Sequence, residues 1–162
     1  MAIKTNDNMI GLSSVSHPSH HSTTMKTHFD LSDIQFEDQF KTGTFDVTHF
    51  SHEAHLRLAW IHVQKYGVYT AISNICNQLQ AFVILHGAEA KFNMTLTIAA
   101  IKAVHHFIDR SDAISFGEFI LEFPRLKYNF KELMAAHYQV DIYNSAKAKE
   151  EFVQPDLLPF DA

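Results

Sequence analysis

The stretch TAISNICNQLQAFVILHG, residues 70–87, places apolar side chains at Ile72, Ile75, Cys76, Leu79 and Val83. The spacing i, i+3, i+4, i+7, i+11 draws one apolar stripe along an α-helix, because a turn closes every 3.6 residues. The helix is expected to begin near Thr70 and to end at Gly87. Upstream, FSHEAHLRLAWIHVQKYG (50–67) predicts a helix capped by Ser51, running to Tyr66 and closed by a left-handed Gly67. Downstream, KFNMTLT (91–97) opens a helix that reaches about Asp109. Its apolar residues Leu96, Ala100, Ala103 and Phe107, flanked by Ile101, Val104 and Ile108, cover so wide a face that it should be touched on several sides.

Shorter helices surround these three. Ser32 with Gln35 has capping-box spacing and starts a helix that should stop near Gly43. Ser115 with Glu118 and Asn129 with Glu132 repeat that spacing on either side of Pro124, which should break the pattern. SAKAKEEF predicts a last short helix before VQPDLLPF, an extended tail whose Leu157, Leu158 and Phe160 should fold back onto the body. Alternating runs long enough for a sheet are missing, and no internal repeat is visible. The expected fold is all-α: a single-domain helical bundle of about six or seven helices, three of them long and central.

Composition narrows the function. The chain has 162 residues, 46% hydrophobic with Phe 14, enough to bury one core. A net charge of -5 with only 13 Lys+Arg argues against nucleic acid as a partner, since that affinity needs clustered cations. The single Cys76 cannot form an internal disulfide, and within an apolar helical pattern it reads as an inert buried thiol. MAIKTNDNMIGLSS lacks the layout of a signal peptide, and AFVILHG is too short to span a bilayer. No membrane partner and a cytoplasmic location are expected. Residues 1–28, rich in Ser, Thr and His, are read as a flexible arm ahead of a helical domain at 29–162; His17, His20 and His21 within it make at most a loose metal cluster.

The candidate chemistry gathers at two helix starts. His52, His55 and His62 fall within about 80° of one another on a helix at 100° per residue, so three imidazoles share a side. The positive helix end disfavours imidazolium, which suits His55 and His52 as acid/base groups or as ligands for Zn or Fe. A metal site needs further ligands, and His105, His106, Glu118 and His137 are candidates by type. Alternatively His55 and His62 are half-buried structural aromatics. Arg57 is either an anion clamp or a salt-bridge partner of Glu53 at i+4. Asn93 caps the next helix, and Thr97 offers a hydroxyl near it. If the two starts face each other, His52, His55, Arg57, Asn93 and Thr97 make a polar pocket for an anionic or carboxylate small molecule. Trp60 and the Phe residues 107, 116, 119, 123 and 130 read as core. With no glycine-rich phosphate loop, no nucleotide cofactor is expected.

The phrases FSHEAHLRLAW, KFNMTLT and AKEEFVQPDLLPF resemble a small bacterial helical family with F-x-H-x-x-H-L-R-L-A-W, K-Y-H-E-T-L-T and A-[KR]-x-x-[FWY]-[VL]-x-P-D-L-x-P, over about residues 35–160. The resemblance implies a helical fold and no particular reaction. Asn93 and Met94 stand where that family often has His and Glu, so an imidazole that could join His52 and His55 around an ion is replaced by a poor transition-metal ligand. Three readings remain open: a small-molecule pocket, with or without catalysis; a metal-dependent helical enzyme using His52 and His55; and an interaction module whose histidines are structural.

Overall fold

A computed structural model describes residues 26–161; His17, His20 and His21 lie outside them. Ser32 accepts from the Gln35 amide while Gln35 returns a bond to the Ser32 amide, and this reciprocal cap starts α1 (Asp33–Thr42). Gly43 ends it in the left-handed conformation at φ 75°, where a Cβ would also stand 2.8 Å from the Leu85 side chain. Ser51 caps α2 (His52–Tyr66) by accepting from Ala54.

At Gly67 the structure departs from expectation. Its φ of 82° is positive, but ψ is 165°, so it is not the left-handed cap that the sequence suggests. It occupies an extended region open almost only to glycine, and α3 (Val68–Leu85) starts on the very next residue rather than at Thr70. One residue therefore joins two long helices.

Asn93 caps α4 (Met94–Ile108) through Oδ1 and the Leu96 amide. Buried residues from Thr95 to Val104 surround almost the whole circumference of α4, which packs against α2, α3 and a terminal helix. Helices α2, α3 and α4 pack on one another as the expected centre.

Ser115 caps α5 (Phe116–Glu122). Pro124 does not only interrupt the chain: its fixed φ of -64° starts the short α6 (Arg125–Tyr128), a helix the sequence reading omits. Asn129 leads into α7 (Phe130–His137) without the side-chain cap expected of it. Ser145 caps α8 (Ala146–Glu150). Eight α-helices and no strand occur among the described residues, one or two helices more than the sequence suggests.

Phe36, Phe40, Phe45 and Phe82 form an aromatic knot at one end of the core, with Phe40 and Phe45 stacked at 4.6 Å and Phe40 5.0 Å from Phe82. Trp60, Phe116 and Phe119 are buried as expected, while Phe107, Phe123 and Phe130 pack at the core's edge. Cys76 is buried, and desolvation pushes its thiol up to about 11, as an inert thiol requires. By length and composition α3 could cross a membrane, yet in the fold one side of it packs on α2 and α4.

The tail does fold back. Fully buried Thr95 donates to the Glu151 carbonyl and accepts from the Val153 amide, tying the tail to the start of α4. Tyr138 donates to the Val153 carbonyl, and Phe160 stacks on His137 at 4.1 Å. Phe160 is buried, whereas Leu157 and Leu158 remain about half exposed.

Candidate functional site

A cavity of about 280 Å³ lies where the starts of α2 and α4 meet the second half of α3. Val47 and Phe50 form one wall, Leu79, Phe82 and Val83 of α3 another, and Ala88, Phe92 and Leu96 a third. His55, Lys91, Asn93 and Thr97 complete it. The facing helix starts read from the sequence thus share a hollow, but its walls are mainly apolar.

Three of the five expected pocket residues line it: His55, Asn93 and Thr97. The polar atoms of two are already engaged. Asn93, buried, spends Oδ1 on the Leu96 amide and its Nδ2 on the Ile142 carbonyl at 2.8 Å; Thr97 donates its hydroxyl to the Asn93 carbonyl at 2.7 Å. Their first duty is to hold the wall. Replacing Asn93 by Ala should cost about 2 kcal/mol, since it removes a cap and strips a buried carbonyl of its donor. Asn93→Asp keeps the cap acceptor but not the donor, and its denaturation midpoint should fall between those of the parent and the alanine variant.

His55 is different. Its side chain makes no hydrogen bond among the described residues, and its Nε2, closed off from solvent, has no partner. Its ring lies 5.7 Å from that of Phe50. Desolvation, with a small contribution from His52, holds it down to about 4, so the imidazole is uncharged at neutral pH.

His52 and Arg57 face elsewhere. His52 donates Nε2–H to the Leu126 carbonyl at 2.8 Å and lies 4.8 Å from the Phe130 ring. That nitrogen must carry a proton for this bond, so it is not a metal ligand in this arrangement. His52 and His55 are about 60° apart around α2, and each meets a different neighbour. His62 is buried deeper along α2, where Asn74 approaches its Nδ1 at 3.5 Å. The shared side of three imidazoles does not become a shared chamber.

Arg57 is neither an anion clamp nor a partner of Glu53. It is buried, donates to the carbonyls of His28 and Leu31, and grips Asp33 through Nε at 3.2 Å and Nη2 at 2.8 Å. Its guanidinium also sits 4.8 Å from the Phe36 ring. Glu53 instead meets His28 at 2.7 Å and Lys127 at 2.6 Å. Burial raises the Glu53 carboxyl, but hydrogen bonds from Lys127 and His28 outweigh it and hold the group below its usual range.

The proposed boundary of the arm after residue 28 cuts through this ordered network. Thr27 caps a 3-10 turn at His28–Asp30, and His28 is buried. THFD carries the signal, a Thr followed three residues later by an acid, but the surrounding Ser/Thr/His-rich stretch masks it.

The other candidate ligands are dispersed. His105 and His106 line a separate recess of about 350 Å³, with Lys102, Asp109 and Arg110. Glu118 accepts from the Ile114 amide, and His137 donates to the Leu158 carbonyl at 2.6 Å. No three His, Cys, Asp or Glu side chains gather as a metal-binding group among the described residues. The residue that sequence reading missed is Lys91: it opens the KFNMTLT phrase, two positions before the Asn93 cap, and reaches the cavity. No protein family, curated protein or solved structure matches this chain in comparison.

Proposed function

We propose that the protein binds a small, largely apolar molecule in the cavity between α2, α3 and α4, with His55 as the hydrogen-bonding anchor. One observation carries this reading: an uncharged histidine with no hydrogen-bond partner stands in the wall of an otherwise apolar hollow. Leaving a buried polar group unpaired costs about 1–3 kcal/mol, and a ligand that supplies the missing bond recovers part of it. The cavity lies just below the usual range of about 300–1,000 Å³ for ligand pockets, so the ligand is compact, one ring or a short chain.

The same neutral ring is the group through which any acid/base step would run, with His55 as the catalytic residue. His52, tied to Leu126, would act only by positioning α2. The first and third phrases, FSHEAHLRLAW and AKEEFVQPDLLPF, support placing the chain beside the bacterial helical family. The low charge and single buried thiol support a cytoplasmic setting.

Titration of isotope-labelled protein with 2-phenylethanol, followed by NMR, tests the reading. Shifts should concentrate at Phe50, His55, Phe82 and Thr97, and His55→Leu should weaken binding about five- to tenfold, the worth of one neutral hydrogen bond. If none of 2-phenylethanol, 1-hexanol and phenylacetate perturbs those positions at millimolar concentration, the cavity is not a binding site.

A further inference from the structure

Resting on that reading, we infer that the ligand is an anion, specifically a compact carboxylic acid bound as its carboxylate between Lys91 and His55. The inference comes from counting the donors and acceptors that the wall has left. The Thr97 hydroxyl spends its proton on the Asn93 carbonyl, and the Asn93 amide commits one of its two N–H groups to Ile142. The other polar residues lining the cavity are His55 and Lys91. An ammonium donates and never accepts, and the neutral imidazole donates from whichever nitrogen holds its proton. A carboxylate, with two accepting oxygens, can take a hydrogen bond from each.

Charge points the same way. Among the described residues Lys91 is the only charged one that lines the cavity, and it forms no ion pair with any of them. The nearest carboxylate in sequence to the opposite wall is Asp46, just before Val47; it is held by the Thr48 amide and hydroxyl and faces His49. The wall thus carries one positive charge and no negative one. An amine, cationic at neutral pH, would enter against that charge. A carboxylate would bring the opposite charge to an exposed cation at the mouth, while its hydrocarbon body met Phe50, Leu79, Phe82 and Val83. The cation that the sequence analysis assigned to Arg57 is supplied by Lys91.

The test compares phenylacetate, 2-phenylethanol and 2-phenylethylamine at pH 7 by the same NMR titration, on the full chain and on Lys91→Gln. Lys91 is exposed, so the variant should fold, and its amide spectrum checks that. Phenylacetate should bind about tenfold tighter than the alcohol, with the amine weakest, and the variant should lose the preference for the acid while still binding the alcohol. Equal affinity for acid and alcohol would overturn the carboxylate inference and leave the cavity reading standing. A preference for the acid that survives Lys91→Gln would overturn the assignment to Lys91. Binding of none of the three would overturn the inference together with the reading it rests on.

Discussion

Replacing Arg57 by Ala should lower the free energy of unfolding by about 3 kcal/mol, the largest loss expected from any polar residue in the fold. The guanidinium reaches back more than twenty residues to satisfy two main-chain carbonyls, of His28 and Leu31, and the carboxylate of Asp33. Asp33 is half exposed and can be rehydrated when the arginine is gone. The His28 carbonyl lies in a buried contact and cannot be rehydrated as easily. Contact with the faces of Phe29 and Phe36 is lost as well. Lysine is a poor substitute, because one ammonium cannot span the same set of acceptors in a planar fork. Urea denaturation should show the loss as a lower midpoint, and hydrogen exchange should show opening first at residues 26–33. A loss under about 1 kcal/mol would mean that the network is ornamental to stability.

Acidification should weaken the fold before any carboxylate is protonated, and His55 should be the main reason. Its folded value is held near 4 by burial, against an ordinary 6.5 when unfolded. Between those values the unfolded chain takes up a proton that the folded chain refuses, so stability rises with pH and is lost as pH falls below about 6.5. The gap corresponds to about 3 kcal/mol at pH 4 relative to pH 7. His28 and His62 are also held down, chiefly by burial, and add in the same direction. Glu37 and Glu53, held below their usual range, contribute only at lower pH, when they must accept protons. In His55→Gln the difference in urea stability between pH 7 and pH 4.5 should shrink by about 2 kcal/mol or more. An unchanged difference would show that His55 titrates as it would in water.

The local signals were strong for the helices and weak for the site. Ser32, Ser51, Asn93 and Ser115 cap where their spacing indicates, because a cap is settled within four residues of chain, whereas Asn129, with the same spacing to Glu132, makes no side-chain cap. Gly67 was misread because one glycine can take several positive-φ conformations, and only the packing of α2 on α3 selects among them. The meeting of His55 with Asn93 and Thr97 was legible, since both helix starts are marked in the sequence and the helices pack together. The roles of His52 and Arg57 were not, because their partners are main-chain carbonyls at Leu126, His28 and Leu31. Every residue carries such a carbonyl, so composition and spacing say nothing about which one a side chain will find.

The single-residue joint at Gly67 links α2 to α3 through one pair of backbone angles. His55 and Leu79 each lie twelve positions from the joint (67 − 55 and 79 − 67), about 18 Å out along either arm at 1.5 Å per residue. A 10° turn at the pivot would shift the tip of one arm by about 3 Å at that lever length. Two walls of the cavity are thus joined through one pair of backbone angles about 18 Å away, at a residue that does not line it.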